Sequence, residues 1–176
     1  MLTGLGLGVV IGGIGGRLAM YLLARLNPDA TGVVSDDGFV MGQFTLSGTL
    51  NLLVVGGFLG TFGGVVYALA RHLTFGPPWW RLTSVALGAG LPVGALIVHT
   101  DGVDFTLLEP VGLTVALFVA IPAAYGVVLA LLVERFAPPP PGWGRLEALR
   151  WLLRAGAAAV VAAAFLNLAG DVATLT

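Results

Sequence analysis

The chain alternates long apolar runs with short polar connections. Five runs reach the roughly twenty residues that suffice to cross a bilayer, at about 2–26, 46–70, 82–98, 111–133 and 151–173. This pattern predicts an all-α, polytopic integral membrane helix bundle with five transmembrane helices, forming one membrane domain over residues 1–176. The third run is the shortest and holds Pro92, which a membrane helix tolerates where neighbours satisfy the freed carbonyl. The first run lacks a basic leading region and is interrupted by Arg17, so it reads as a retained helix and not as a cleaved signal peptide.

The polar connections differ in charge. Arg71 and Arg81 flank the second, while Arg135, Arg145, Arg150 and Arg154 flank the fourth with Glu134 and Glu147. The first and third carry Asp29, Asp36, Asp37, Asp101, Asp104 and Glu109, with Arg25 as the adjacent base. Asp171 closes the last helix on that acidic side. The positive-inside rule then places the N-terminus in the cytoplasm and the C-terminus outside. Segment 137–150 contains four consecutive prolines and reads as a cytoplasmic Pro-rich linker, stiff and without hydrogen bonds of its own. Trp79, Trp80, Trp143 and Trp151 suit the headgroup layer at that side.

Small residues recur every fourth position. Gly4, Gly8, Gly12 and Gly16 form such a row in the first helix, Gly56, Gly60 and Gly64 in the second, and Ala86, Gly90 and Gly94 in the third. In lipid, helices associate through close backbone contact, which rows of this kind permit, so they are read as helix-packing surfaces within the bundle or between protomers. The first row does not fit G-x-G-x-x-G and no strand precedes it, so a dinucleotide site is excluded. "DDGFVMGQFTL" and "TDGVDFTLLEP" both run from Asp-Gly to Phe-Thr-Leu, and "GVVYALARHL" resembles "GVVLALLVERF". These matches suggest a parallel two-helix repeat, with units 1–73 and 80–136, followed by a fifth helix.

Composition narrows the chemistry. The 176 residues are 57% apolar and 10% charged, with net charge −1 and no Cys. No basic face invites nucleic acid, and thiolate chemistry is excluded. Every basic residue is Arg, and Gly, Ala and Pro abound. That is the usage of a high-GC genome, which points to a bacterial plasma membrane.

Two constellations carry potential chemistry. Arg17 lies well inside the first helix, where an Arg costs about 2.5–3.5 kcal/mol on insertion scales. Its expected company is an intramembrane polar network with Asn51, Asn167 and Asp171, or else it snorkels to a phosphate or a loop carboxylate. The second constellation is "HTDGVDFTLLEP". His99, Asp101, Asp104 and Glu109, with Asp36 and Asp37 from the sister connection, are ligand types for a divalent metal. Their spacing matches no calcium loop and no H-E-x-x-H helix. The competing reading is structural: Asp101-Gly102 as a turn, Asp104 as a helix cap and Glu109-Pro110 as a helix start.

No cofactor is implied. The expected partners are membrane lipid and either a second copy or a larger membrane protein. The favoured function is a non-catalytic membrane bundle or accessory subunit that assembles through its glycine rows. The alternatives are a small transporter or channel with an acidic outer vestibule, and a metal-dependent membrane enzyme at the outer leaflet.

Overall fold

A computed structural model of the chain describes residues 2–35, 38, 40–137 and 146–175. Five of its helices are long and apolar enough to cross a membrane: α1 (Leu2–Leu26), α2 (Leu46–Ala70), α3 (Pro78–Ile97), α5 (Val111–Phe136) and α6 (Glu147–Leu175). A one-turn helix, α4 (Val103–Leu107), lies in the connection between α3 and α5. Among the described residues the only extended pairing is an isolated bridge between Val34 and Val40.

The first two helices run where the apolar pattern puts them, and the other three are longer than expected. α3 begins at Pro78 and not near residue 82, because proline is at home in a first helical turn where its missing N–H is not needed. α6 begins at Glu147 and α5 runs on to Phe136. The last residues of the expected linker are therefore helical, and its Pro-rich part, 138–145, lies outside the described residues.

Two helix hairpins form the body of the bundle. α1 packs tightly on α2, and α3 packs tightly on α5; α6 leans on α3 and only lightly on α5. In the first hairpin the backbones meet. A Cβ on Gly56 would lie 2.6 Å from the Gly8 carbonyl oxygen and 2.7 Å from the Gly13 nitrogen, and one on Gly4 would lie 2.5 Å from the Gly60 carbonyl oxygen. No other residue type fits such a crossing.

The row on α1 differs from the four-residue spacing of the sequence. Its middle, Gly8–Ile14, is π-helical, a wider turn with i→i+5 bonding. The contact line therefore steps from Gly4 to Gly8 and then to Gly13, which is buried against Leu52 and Leu53. Gly12 makes only ordinary contact with Gly56, and Gly16 has nothing within reach. Within the chain, the π turn thus carries Gly12 and Gly16 off the close crossing. Gly60 lies in close backbone contact with Gly4 and Gly8, Gly64 makes ordinary contact with Gly4, and Gly90 and Gly94 sit against Val119 of α5.

Tyr125 joins the two hairpins. Projecting from α5, it donates its hydroxyl to the Gly60 carbonyl, and its ring covers Gly63. The Phe-Thr-Leu triplets of the two acidic connections play different parts. Phe44-Thr45-Leu46 leads straight into α2, with Thr45 as N-cap accepting from the Gly48 N–H at 3.2 Å. Phe105-Thr106-Leu107 lies inside α4. There Phe105, only 2% exposed, plugs the end of the bundle against Phe118, Val98, Val115 and Leu168.

Candidate functional site

Polar side chains concentrate at the two ends of the bundle. At the acidic end, Arg17 of α1 lines a small cleft of about 60 Å³ together with Met20, Tyr21, Gln43, Phe44 and Asp104. Its guanidinium carbon stands 4.9 Å from the centre of the Phe44 ring, within range of a cation–π attraction. Nη2 reaches the carbonyls of Gln43 and Thr45 at 3.4 and 3.5 Å, both long for hydrogen bonds, and Nε is buried with no partner. Among the described residues no carboxylate lies within ion-pair distance of Arg17.

The expected intramembrane network is therefore not assembled. α6, which carries Asn167 and Asp171, packs on α3 and α5 and away from α1. Asn51 and Asn167 are exposed on the flanks of α2 and α6. The partners of Arg17 are instead the backbone and ring of the segment entering α2. Sequence periodicity could not show this, because it depends on how deeply that segment dips beside α1.

The acidic connections are organised by backbone bonding. Asn27, at the end of α1, donates through Nδ2 to the carbonyls of Leu23 and Glu109, both at 2.9 Å, and its Oδ1 accepts from the Glu109 N–H at 2.8 Å. Its carboxamide thus stands in for a peptide group and ties α1 to the start of α5. Thr114, fully buried, donates to the Leu108 carbonyl at 3.1 Å.

His99 places Nδ1 2.7 Å from the Ile97 carbonyl and its ring 5.9 Å from that of Phe105. Asp101 lies in an exposed turn, as expected. Asp104 is 8% exposed and lies inside α4, whose N-cap position is held by Gly102. Helix α5 follows Glu109-Pro110, with Pro110 as its N-cap.

Among the described residues no three His, Asp or Glu side chains gather as metal ligands would. His99, Asp101, Asp104 and Glu109 therefore do not form a metal centre by themselves. Asp36 and Asp37, the further candidates, lie outside the described residues.

The most ordered polar cluster is at the basic end and was not singled out from the sequence. Glu134 of α5 receives Arg71 Nε at 3.2 Å and the Tyr67 hydroxyl at 3.1 Å on Oε1, and Arg81 Nη2 at 3.1 Å on Oε2. One carboxylate thus joins α2, α3 and α5. A cleft of about 140 Å³ opens beside it, lined by Tyr67, Thr74, Pro78, Arg81, Leu82, Val85, Ala130, Leu131 and Glu134. Tyr67 and Arg71 are four residues apart and so share a face. That spacing, with a lone acid among arginines at the end of another helix, was the available signal.

Nearby, Arg154 of α6 donates Nε to the Leu73 carbonyl at 2.8 Å and lies between Phe75 and Trp151, 4.5 Å from each ring centre. Trp79 and Trp80 extend this aromatic group. Comparison with known proteins finds no family model, no curated protein and no solved structure that matches the chain.

Proposed function

We propose that the chain is a non-catalytic, multi-pass membrane protein that works by assembling, with a second copy or a larger membrane partner, in a bacterial plasma membrane. Its N-terminus is cytoplasmic and its C-terminus outside. The ends of the bundle support this orientation: Arg71, Arg81, Arg150, Arg154, Trp79, Trp80 and Trp151 collect at one end, and Asp29, Asp101, Asp104 and Glu109 at the other. Arginine excess and indole rings are features of a cytoplasmic interface.

One observation carries the assembly reading. α6 rests on the bundle along a narrow line, burying Ala164 and Leu168, while residues 155–160 are exposed on every side. Asn167 is exposed on the same helix beside Phe165 and Leu166, both largely uncovered. A carboxamide facing hydrocarbon loses its hydrogen bonds, whereas across a helix interface it finds them. Gly156, Ala159 and Ala163 would let a second backbone approach.

The test is disulfide trapping in native membranes, which the absence of native Cys makes clean. Cysteine at Ala163 should trap a discrete cross-linked species, while cysteine at Val54, exposed on α2, should not. Equal trapping at both positions, or none at Ala163, would sink the assembly reading. The cleft at Arg17 favours a second reading, a small transporter. Solute or ion flux through the purified protein in liposomes, abolished by substitution of Arg17, would establish that reading instead.

A further inference from the structure

We infer that the cleft beside Glu134 is a binding site for an anionic phospholipid, whose phosphodiester is taken by Arg81 and whose first acyl carbons lie along Val85 and Leu131. The inference rests on the membrane reading above and goes beyond it by naming a ligand class and the residues that hold it.

Glu134 is shared by two arginines, so the cluster has one positive charge more than its carboxylate neutralises. The two arginines are not equivalent. The Arg71 side chain is 11% exposed and held under the cluster, whereas that of Arg81 is 35% exposed and lines the cleft. Among the described residues the Arg81 guanidinium makes one hydrogen bond, from Nη2 to Glu134 Oε2, and Nε and Nη1 have no protein partner. Glu134 therefore orients the planar group through one Nη2 hydrogen, and the edge formed by the other Nη2 hydrogen with Nη1 or Nε is open to a ligand. A guanidinium held in this way is suited to take two oxygens of a phosphate at once.

The other walls select a lipid over a free anion. Leu82, Val85, Ala130 and Leu131 are apolar and lie further along α3 and α5 toward the middle of the bundle than Arg81 and Glu134. About 140 Å³ is well above what a single water needs. A site that is cationic at its mouth and apolar below matches a headgroup with its chain attached. Basic pockets between helices on the cytoplasmic side hold anionic headgroups for this reason. The aromatic group of Phe75, Trp79, Trp80 and Trp151 at the same end places the mouth at headgroup depth.

The experiment uses the full chain in nanodiscs of phosphatidylcholine, titrated with phosphatidylglycerol. Melting temperature and native mass spectrometry of retained lipid are the readouts. Phosphatidylglycerol should raise the melting temperature and remain bound, because a ligand of the folded state stabilises it. Arg81→Gln should weaken that binding roughly tenfold, the scale of one charged hydrogen-bond contact.

Leu131→Trp, at the exposed rim of the cleft, should weaken binding without touching the ion cluster, and it carries the test if Arg81→Gln fails to fold. Arg135→Gln, on the same helix end but outside the cleft, should bind as the native chain does. Equal retention of phosphatidylcholine, or unchanged binding in both cleft variants, overturns the proposal. A stabilisation reproduced by glycerol 3-phosphate or inorganic phosphate alone would make this a free-anion site and overturn the lipid assignment. Recovery of the chain in the soluble fraction would overturn the membrane reading itself, whereas insertion without lipid preference would overturn only this site.

Discussion

Gly8 and Gly56 meet backbone to backbone where α1 crosses α2, so closely that a methyl group on either would overlap the other helix. The π-helical turn that starts at Gly8 carries the next contact to Gly13.

Gly8→Leu is therefore expected to prevent recovery of monodisperse protein, or to lower its melting temperature sharply. The leucine would have to push apart two main chains, and overpacking costs of 1–3 kcal/mol are a floor where backbone cannot yield. Gly16→Leu, with nothing within reach, should stay within about 0.5 kcal/mol of the native chain. Equal behaviour of the two variants in a detergent melting assay would refute the crossing.

Removal of the Glu134 carboxylate should be the most costly change of a charged residue. Glu134→Gln leaves Arg71 and Arg81 with no carboxylate between them and is expected to cost about 2 kcal/mol, discounted from the fully buried case because the cluster is part-exposed. Glu147→Gln breaks only an i,i+3 pair with Arg150 at 3.4 Å and should cost less than about 0.5 kcal/mol. Thermal melts of the two variants side by side check the ranking.

Arg17→Met is expected to leave stability unchanged or to raise it. The guanidinium has no carboxylate partner among the described residues, and its two hydrogen bonds are long. What the substitution loses is the attraction to Phe44, about 0.5–2 kcal/mol. The gain from removing a charge with no carboxylate partner among the described residues is of similar or greater size. A fall of several degrees in melting temperature would reveal a counter-charge and contradict this account.

The orientation can be read chemically. An impermeant thiol reagent applied to intact cells should label a cysteine placed at Asp101 and not one placed at Pro77, both exposed positions. Labelling at Pro77 alone would invert the proposed topology.

The order of long apolar runs determined by itself that the chain is all-helical, with five helices able to cross a membrane. The reason is local, since each run is long enough to satisfy its own backbone bonds within one segment. The first two helices fall at the expected ends, while α3 extends beyond its expected start because proline is tolerated in a first turn, and α5 and α6 extend beyond theirs because glutamate and arginine at helix ends are polar without being helix breakers. That glycines would mediate packing was equally legible, because only a missing side chain permits backbone contact.

Which glycines do so was decided by the tertiary structure. A π turn moves the seam by one residue, and a four-residue repeat holds no record of it. The same holds for the polar groups. Arg17, Asn167 and Asp171 lie on helices that do not pack together, and the Phe44 segment reaches Arg17 instead. Glu134, unremarkable on its own helix, acquires its role because α2 and α3 bring two arginines and a tyrosine to it across 53 to 67 residues of chain. Hydropathy reports how each segment meets its solvent. It does not report which charged groups meet each other, since that depends on the rotation and depth of each helix, set by the close contacts at Gly8, Gly56 and Tyr125.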